Sequence, residues 1–462
     1  MRTPRRRIAR NTLVSASLLM LLVLLGARIG PAAAQPAEPR EPVDEFPASA
    51  AISGPDFPGA RAARAASAPA AKRAGLSRNG LKRRLRAGMR SAGGASGAQV
   101  YDLNTSRKPT LFSDSSGRAR ILASNTKLFT TTAFLDRFGP ERSLQTTLVE
   151  RGERTGEDDG VLKGDLVIVG NGDPAFGTKS FAAGRGLPLT SISDLARDAK
   201  RSGIKKVRGD IVADDSVFDR NRRAGEYLSP LSGLSFNSGY ASGGGYARSP
   251  ELEAAERFKQ LLNKQRIRVT GKVKRTGRKG ARGGRRIGKV ESPDAATLAR
   301  ATNTPSNNFF AEMLLKRVGA SASRGTTGRG AAKAERTARK IGAGARIADG
   351  SGLSRGNKAS PKQVVKLLTG IQRRTEFAAE LLDSLAVAGR SGTLADRMNG
   401  GPAAGRCHAK TGTLSDVSAL SGYCETKRDG LVAFSFLMNN VNTDAARNAQ
   451  DRMVQAIARY GR

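Results

Sequence analysis

The stretch "NTKLFTTTAFLDRF", residues 125 to 138, carries Leu128, Phe129, Ala133, Phe134, Leu135 and Phe138 around most of a helix, and "GP" at 139 and 140 ends the pattern. A helix that is apolar nearly all round has no face to give to water, so other elements must enclose it. The chain therefore has to place layers of structure on more than one side of this helix. Its 462 residues suffice for two or three domains around such a centre without the staples a small protein needs.

That burial changes the meaning of Lys127. In "ASNTKLF" Ser124 and Lys127 stand three residues apart, on one face at the buried head of the helix. One reading is a serine N-cap followed by a snorkelling lysine. The other is a nucleophile with its base. Burial disfavours the ammonium form, and a second cation nearby disfavours it further, so Lys127 can hold a neutral amine that takes the seryl proton. The backbone N–H of Ser124, one of the unpaired donors at a helix start, can face a developing oxyanion.

Two further motifs decide between these readings. "ATNTPSNNFFAEMLLKRVG" places Ser306 and Asn308 in a turn after Thr304-Pro305, at the head of an amphipathic helix. "RCHAKTGTLSDVSALSGYCE" places Lys410, Thr411, Gly412 and Thr413 in a strand followed by a turn and a second strand. The order S-x-x-K, S-x-N, K-T-G is that of active-site serine enzymes that recognise penicillin. Antiparallel pairing about "TLSDVS" sets Cys407 opposite Cys424 and Gly412 opposite Ala419, which allows a disulfide; two buried thiols are the alternative.

Rival chemistries lack their parts. The single histidine, His408, lies in the K-T-G strand with no G-x-S-x-G elbow to serve. No H-E-x-x-H or C-x-x-C spacing offers a metal site, "SGTL" at 391 to 394 has no lysine three residues on, and no organic cofactor motif is present.

Charge and the N-terminus speak to location. "MRTPRRRIAR", an uncharged run from Asn11 to Ala27 and "PAAAQ" form an export signal over residues 1–34, cut after Ala34. Its apolar run is shorter than the ~20 residues of a spanning helix. Residues 35–75, rich in Pro and Ala, read as a disordered spacer. The working compartment is then outside the cytoplasmic membrane: the periplasm, or the extracellular space and cell wall, with association to a membrane surface open. Lys and Arg number 79 against 40 acids, a formal charge of +39, and twelve of the bases crowd into residues 264–289 without an acid or an aromatic. A single-strand nucleic-acid site would want stacking rings there, so nucleic acid is excluded; anionic wall polymers or a membrane surface fit the charge.

On "ASNTKLFTTTAFLDRFGP", "GDLVIVGNGDPAF", "GDIVADDSVFD", "SNNFFAEMLLK", "DGSGLSR", "GRSGTLADR" and "AKTGTLSDVSALSGY", in that order, the chain resembles the D-alanyl-D-alanine carboxypeptidase/endopeptidases, the class C low-molecular-mass penicillin-binding proteins of peptidase family S13. The resemblance implies an α+β, transpeptidase-like catalytic domain, an antiparallel sheet flanked by helices, built from residues 76–144 and 291–462. It also implies inserted α/β and β-rich domains over residues 145–290. Ser124 would attack a D-alanyl carbonyl and Lys127 take its proton. Ser306 would pass a proton to the leaving amine, and Asn308 would hold the acyl strand. Lys410, Thr411 and Thr413 would bind the terminal carboxylate, Gly412 lying between them, and the N–H groups of Ser124 and Thr413 would form the oxyanion hole. Peptidoglycan stem peptides would be substrates, β-lactams acylating inhibitors, and no cofactor or metal would be required.

Overall fold

The structure, a computed structural model, describes residues 75–155, 160–227, 229–276, 283–374, 376–428 and 430–461; the expected export signal and almost all of the expected spacer lie outside them. Helix α1 (Arg78–Ala92) is capped by the Ser77 hydroxyl, which accepts from Gly80 N, and buries the stripe Leu81, Leu85, Met89. Strands β1 (Ala95–Asp102) and β2 (Thr110–Asp114) form an antiparallel hairpin. Helix α2 (Thr126–Phe138) follows, every residue from Thr126 to Leu135 buried, as its all-round apolar pattern requires.

The chain then builds an inserted sheet. Strands β3 (Gln145–Thr155) and β4 (Val161–Val169) pair antiparallel. Helix α3 (Ile192–Arg201), strands β5 (Lys206–Val207) and β6 (Ile211–Asp214), helix α4 (Pro250–Lys264), and strands β7 (Arg268–Val269), β8 (Val273–Arg275) and β9 (Arg285–Glu291) complete it. The order is β7-β5-β4-β3-β9, with β6 pairing both β4 and β8; the pairs made by β5, β6, β7 and β8 are parallel. Ile192 and Leu195 of α3 and Phe258 and Leu262 of α4 pack with Leu166 and Ile168 of β4. The described strands of the basic segment, Arg268–Val269, Val273–Arg275 and the start of Arg285–Glu291, all join this sheet. The chain's exit and return are stapled together: Leu144 N donates to Ser292 Oγ and Ser292 N to Leu144 O, both at 2.8 Å.

Helices α5 (Ala295–Asn303), α6 (Asn308–Gly319), α7 (Thr327–Lys340) and α8 (Pro361–Ile371) precede strands β10 (Ala386–Val387), β11 (Cys407–Leu414), β12 (Val417–Glu425) and β13 (Leu431–Asn439), and helix α9 (Thr443–Ala458) closes the fold. The main sheet runs β10-β11-β12-β13-β1-β2, antiparallel throughout. Its central strands β12 and β13 are buried on both faces. Ala433 and Leu437 join the core of α2, α6 and α8, while Phe434, Phe436 and Met438 join that of α1 and α9. This two-sided burial is why "LVAFSFLMN" reads as a continuous apolar run. Cys407 and Cys424 face each other in register and are bridged. Among the described residues no helix is long and apolar enough to cross a membrane.

Candidate active site

Ser124 does not cap α2. It sits in a 3-10 turn, Ala123–Asn125, that runs into the helix, and the Thr126 hydroxyl donates to Ala123 O at 2.9 Å to close that turn. Ala123 has φ +45°, a backbone conformation costly for a residue with a Cβ. The turn lifts the Ser124 side chain off the helix axis and towards Lys127.

Lys127 is fully buried, and its Nζ donates to Ser124 Oγ at 3.0 Å, Asn308 Oδ1 at 2.6 Å and Ser351 O at 2.8 Å. Asn308 Oδ1 and the Ser351 carbonyl can only accept. A neutral amine would satisfy both with its two N–H groups and turn its lone pair to the Ser124 hydroxyl.

Asn308 is the first residue of α6, whose N-cap is Asn307, with Oδ1 accepting from Phe310 N at 3.0 Å. This helix, read from sequence as amphipathic, is buried on nearly every face, because α2, α7 and the 349–357 loop enclose it. Ser306 holds φ +64° two residues earlier, in the turn after α5. Its hydroxyl makes no hydrogen bond among the described residues, so the structure brings its backbone to the site without joining its side chain to the Ser124–Lys127 pair.

The loop "DGSGLSR" carries a part that sequence reasoning did not assign. Glu312, one turn along α6 from Asn308, accepts from Gly350 N at 3.0 Å and Ser351 N at 2.8 Å, while Thr130 Oγ1 donates to Gly350 O at 2.9 Å. Asp349 accepts from Gly352 N and Ser354 N, each at 2.7 Å, and from Asn357 Nδ2 at 2.8 Å. These bonds aim the Ser351 carbonyl at Lys127. Burial, and then the charge of Asp349, push Glu312 well above the usual carboxylate range. Gly352 has φ +94°, and a Cβ there would lie 1.9 Å from Ala123 O, so the loop rests directly on the turn that carries Ser124.

Strand β11 meets the same turn from the other side. Asn125 Nδ2 donates to Lys410 O at 3.0 Å, and a Cβ on Gly412 would stand 3.0 Å from Ser124 N. Glycine is what lets the strand approach the Ser124 backbone this closely. Lys410 is fully buried, its Nζ donates to Thr411 O at 3.0 Å, and burial, together with the charge of Lys127, holds it well below the usual lysine range. The Thr411 hydroxyl donates to Thr393 Oγ1 at 2.8 Å, and Thr393 N in turn donates to Thr304 O at 3.2 Å. The "SGTL" segment thus belongs to the site as a brace between β11 and the Ser306 turn, not as a second nucleophile. Thr393, Ser351 and Glu312 left no spacing signal, since each acts through contacts made by the fold. Strand β10 pairs only with His408 and Ala409, so the edge of β11 is open from Lys410 onward. His408 is half-buried, and its Nδ1 finds no partner among the described residues; it forms no relay with Ser124.

The sequence pattern of the D-Ala-D-Ala carboxypeptidase 3 (S13) family matches residues 84–239 and 245–460. The chain is 31% identical over 460 residues to a D-alanyl-D-alanine carboxypeptidase of Actinomadura sp. (strain R39), covering 80% of this chain and 82% of that one. It is 27% identical over 366 residues to a carboxypeptidase DacB of Mycolicibacterium smegmatis, covering 73% of this chain and 75% of the relative. Penicillin binding protein 4 of Haemophilus influenzae shares the fold with a TM-score of 0.67 at 20% identity, over 80% of this chain and 99% of that one. A serine set at the mouth of a buried lysine, a K-T-G strand against its backbone and a family match over both halves of the catalytic fold agree: the chain belongs to the D-Ala-D-Ala carboxypeptidase S13 family.

Proposed function

We propose that the protein is a serine DD-peptidase acting outside the cytoplasmic membrane on the D-alanyl-D-alanine ends of peptidoglycan stem peptides, through an ester on Ser124. The observation that carries this reading is the set of bonds at Lys127 Nζ. With the amine neutral, Lys127 takes the proton as Ser124 Oγ bonds to the penultimate D-alanyl carbonyl carbon. The N–H groups of Ser124 and Thr413 stabilise the oxyanion. Collapse expels the terminal D-alanine, whose amine receives a proton by way of Ser306, and water then hydrolyses the ester. The open edge of β11 accepts the extended acyl strand, with Asn308 against its amide. Thr411 and Thr413 take the terminal carboxylate. Endopeptidase action on D-alanyl cross-links uses the same steps with a larger leaving amine; a peptidoglycan endopeptidase of Bdellovibrio bacteriovorus is built on this fold, with a TM-score of 0.54. The disulfide fits an oxidising compartment, and the excess of basic over acidic residues, which persists without residues 1–34, favours retention on anionic wall polymers.

Intact-mass spectrometry after brief penicillin treatment tests the reading. A stable adduct on the wild-type protein, absent from Ser124→Ala, is expected. Rapid loss of the adduct with penicillin destroyed would make the protein a β-lactamase, and no adduct with penicillin intact would leave a non-catalytic wall-binding protein.

A further inference from the structure

The K-T-G strand poses an electrostatic problem that its own residues do not solve. A substrate that ends in a free carboxylate brings a full negative charge to Thr411 and Thr413. Lys410, the motif's cation, is fully buried beneath the strand with its Nζ on Thr411 O, so its charge does not stand on the exposed side where the carboxylate arrives. The Thr411 hydroxyl proton is already given to Thr393 Oγ1. Thr413 is exposed, and its hydroxyl accepts from Arg447 Nη2 at 3.3 Å.

Arg447 lies in the second turn of α9, which packs across β11 and β12. Its side chain is 43% exposed, and its one acidic partner, Asp444 at 3.4 Å, is 82% exposed, an i,i+3 surface pair of little strength. Asp416, the acid of the turn after K-T-G-T, is engaged by Arg355 instead. A guanidinium carries five N–H donors in a fixed fork that matches a carboxylate, and here it stands partly exposed beside the hydroxyl the carboxylate must reach, with single long contacts to Thr413 and Asp444.

We propose that Arg447 is a specificity-determining residue: from α9 it makes charge-assisted hydrogen bonds to the terminal carboxylate held by Thr413, and so gives the enzyme its preference for acyl donors with a free C-terminal acid. The inference rests on the Ser124 acyl-enzyme reading and deepens it. Removing the arginine weakens recognition of the acid and leaves the nucleophile's surroundings in place, since the residue touches neither Ser124 nor Lys127.

The test compares two esters with one scissile bond, an N-acyl-D-alanyl-D-lactate with a free carboxylate and its methyl ester. The readout is the ratio of their kcat/KM values. Arg447→Ala is expected to lower that ratio by at least about tenfold, mainly through KM, the scale of one hydrogen bond to a charged group. Arg447→Gln keeps a donor for Thr413 without the charge and serves if alanine unsettles α9; the same loss is expected. Arg447→Lys should recover part of the ratio. An unchanged ratio, or equal losses on both esters, overturns the proposal while leaving Ser124 as the nucleophile. A wild-type protein inert on both esters overturns the acyl-enzyme reading and this inference with it.

Discussion

Gly352→Ala tests whether the "DGSG" loop positions the nucleophile. Two costs enter. The residue has φ +94°, and placing a Cβ there costs about 1 kcal/mol relative to glycine. The Cβ would also stand 1.9 Å from Ala123 O and 2.9 Å from Ser124 N, so either the loop or the nucleophile turn must retreat by more than about 1 Å in a close-packed setting. A displacement of that size at a reacting group lowers the rate by about 100-fold, some 2.7 kcal/mol of barrier. Gly342→Ala separates the two costs, because Gly342 has φ +83° with open space where its Cβ would go. The assay is the second-order rate of acylation by a fluorescent penicillin, with thermal unfolding alongside. Gly342→Ala should lose only about 1 kcal/mol of stability and acylate as wild type does. Gly352→Ala should acylate about 100-fold more slowly even at temperatures where it remains folded. Wild-type acylation by folded Gly352→Ala would refute the argument that this loop fixes Ser124.

Two other outcomes follow from buried groups away from the nucleophile. Asp173 is fully buried in the insert, and burial raises its carboxyl to about 6, with Thr190 and the Ala175 N–H opposing. The folded state thus holds this proton more tightly than the unfolded state, and its stabilising effect, present at pH 4 and below, is lost as pH rises to 6, on the order of 3 kcal/mol; Asp173→Asn should flatten denaturation midpoints across pH 4–6, and an unchanged slope would contradict the assignment. The Cys407–Cys424 bridge closes a separation of 17 residues. Replacing both cysteines with alanine should cost about 3 kcal/mol of unfolding free energy, and equal stability in urea would mean the bridge contributes nothing.

Much of the candidate site's geometry was legible because it is local in sequence. The burial of α2, the place of Lys127 within it and the 407–424 register all follow from period and pairing, which sequence displays directly. The supports were not legible. Glu312 looks like any helical glutamate until α6 is enclosed on all sides, and Thr393 stands in a segment whose relevance appears only when the turn at Thr304 meets β11. Arg447 was one arginine among many in a strongly basic chain. The single inserted sheet was obscured for a related reason: strands as short as Arg268–Val269 and Val273–Arg275 have no period of their own, and the pairing partner decides where they go.

Helix α6 bears Asn308, Glu312 and Lys316 four residues apart on one side, and each answers to a different part of the protein. Asn308 meets Lys127, Glu312 carries the Ser351 loop, and Lys316, fully buried, donates to Asp219 Oδ1 and Asn221 O, both at 2.6 Å, in the insert's segment between β6 and α4. The insert is therefore not a cassette that can be cut out at the Leu144–Ser292 staple and replaced by a short linker. Such a deletion would strand an ammonium in the core two turns from the asparagine that meets Lys127, a loss of about 3–5 kcal/mol by the usual cost of an uncompensated buried charge. A minimal catalytic domain would have to carry Lys316→Met, or a leucine there, before it could keep its active site in shape.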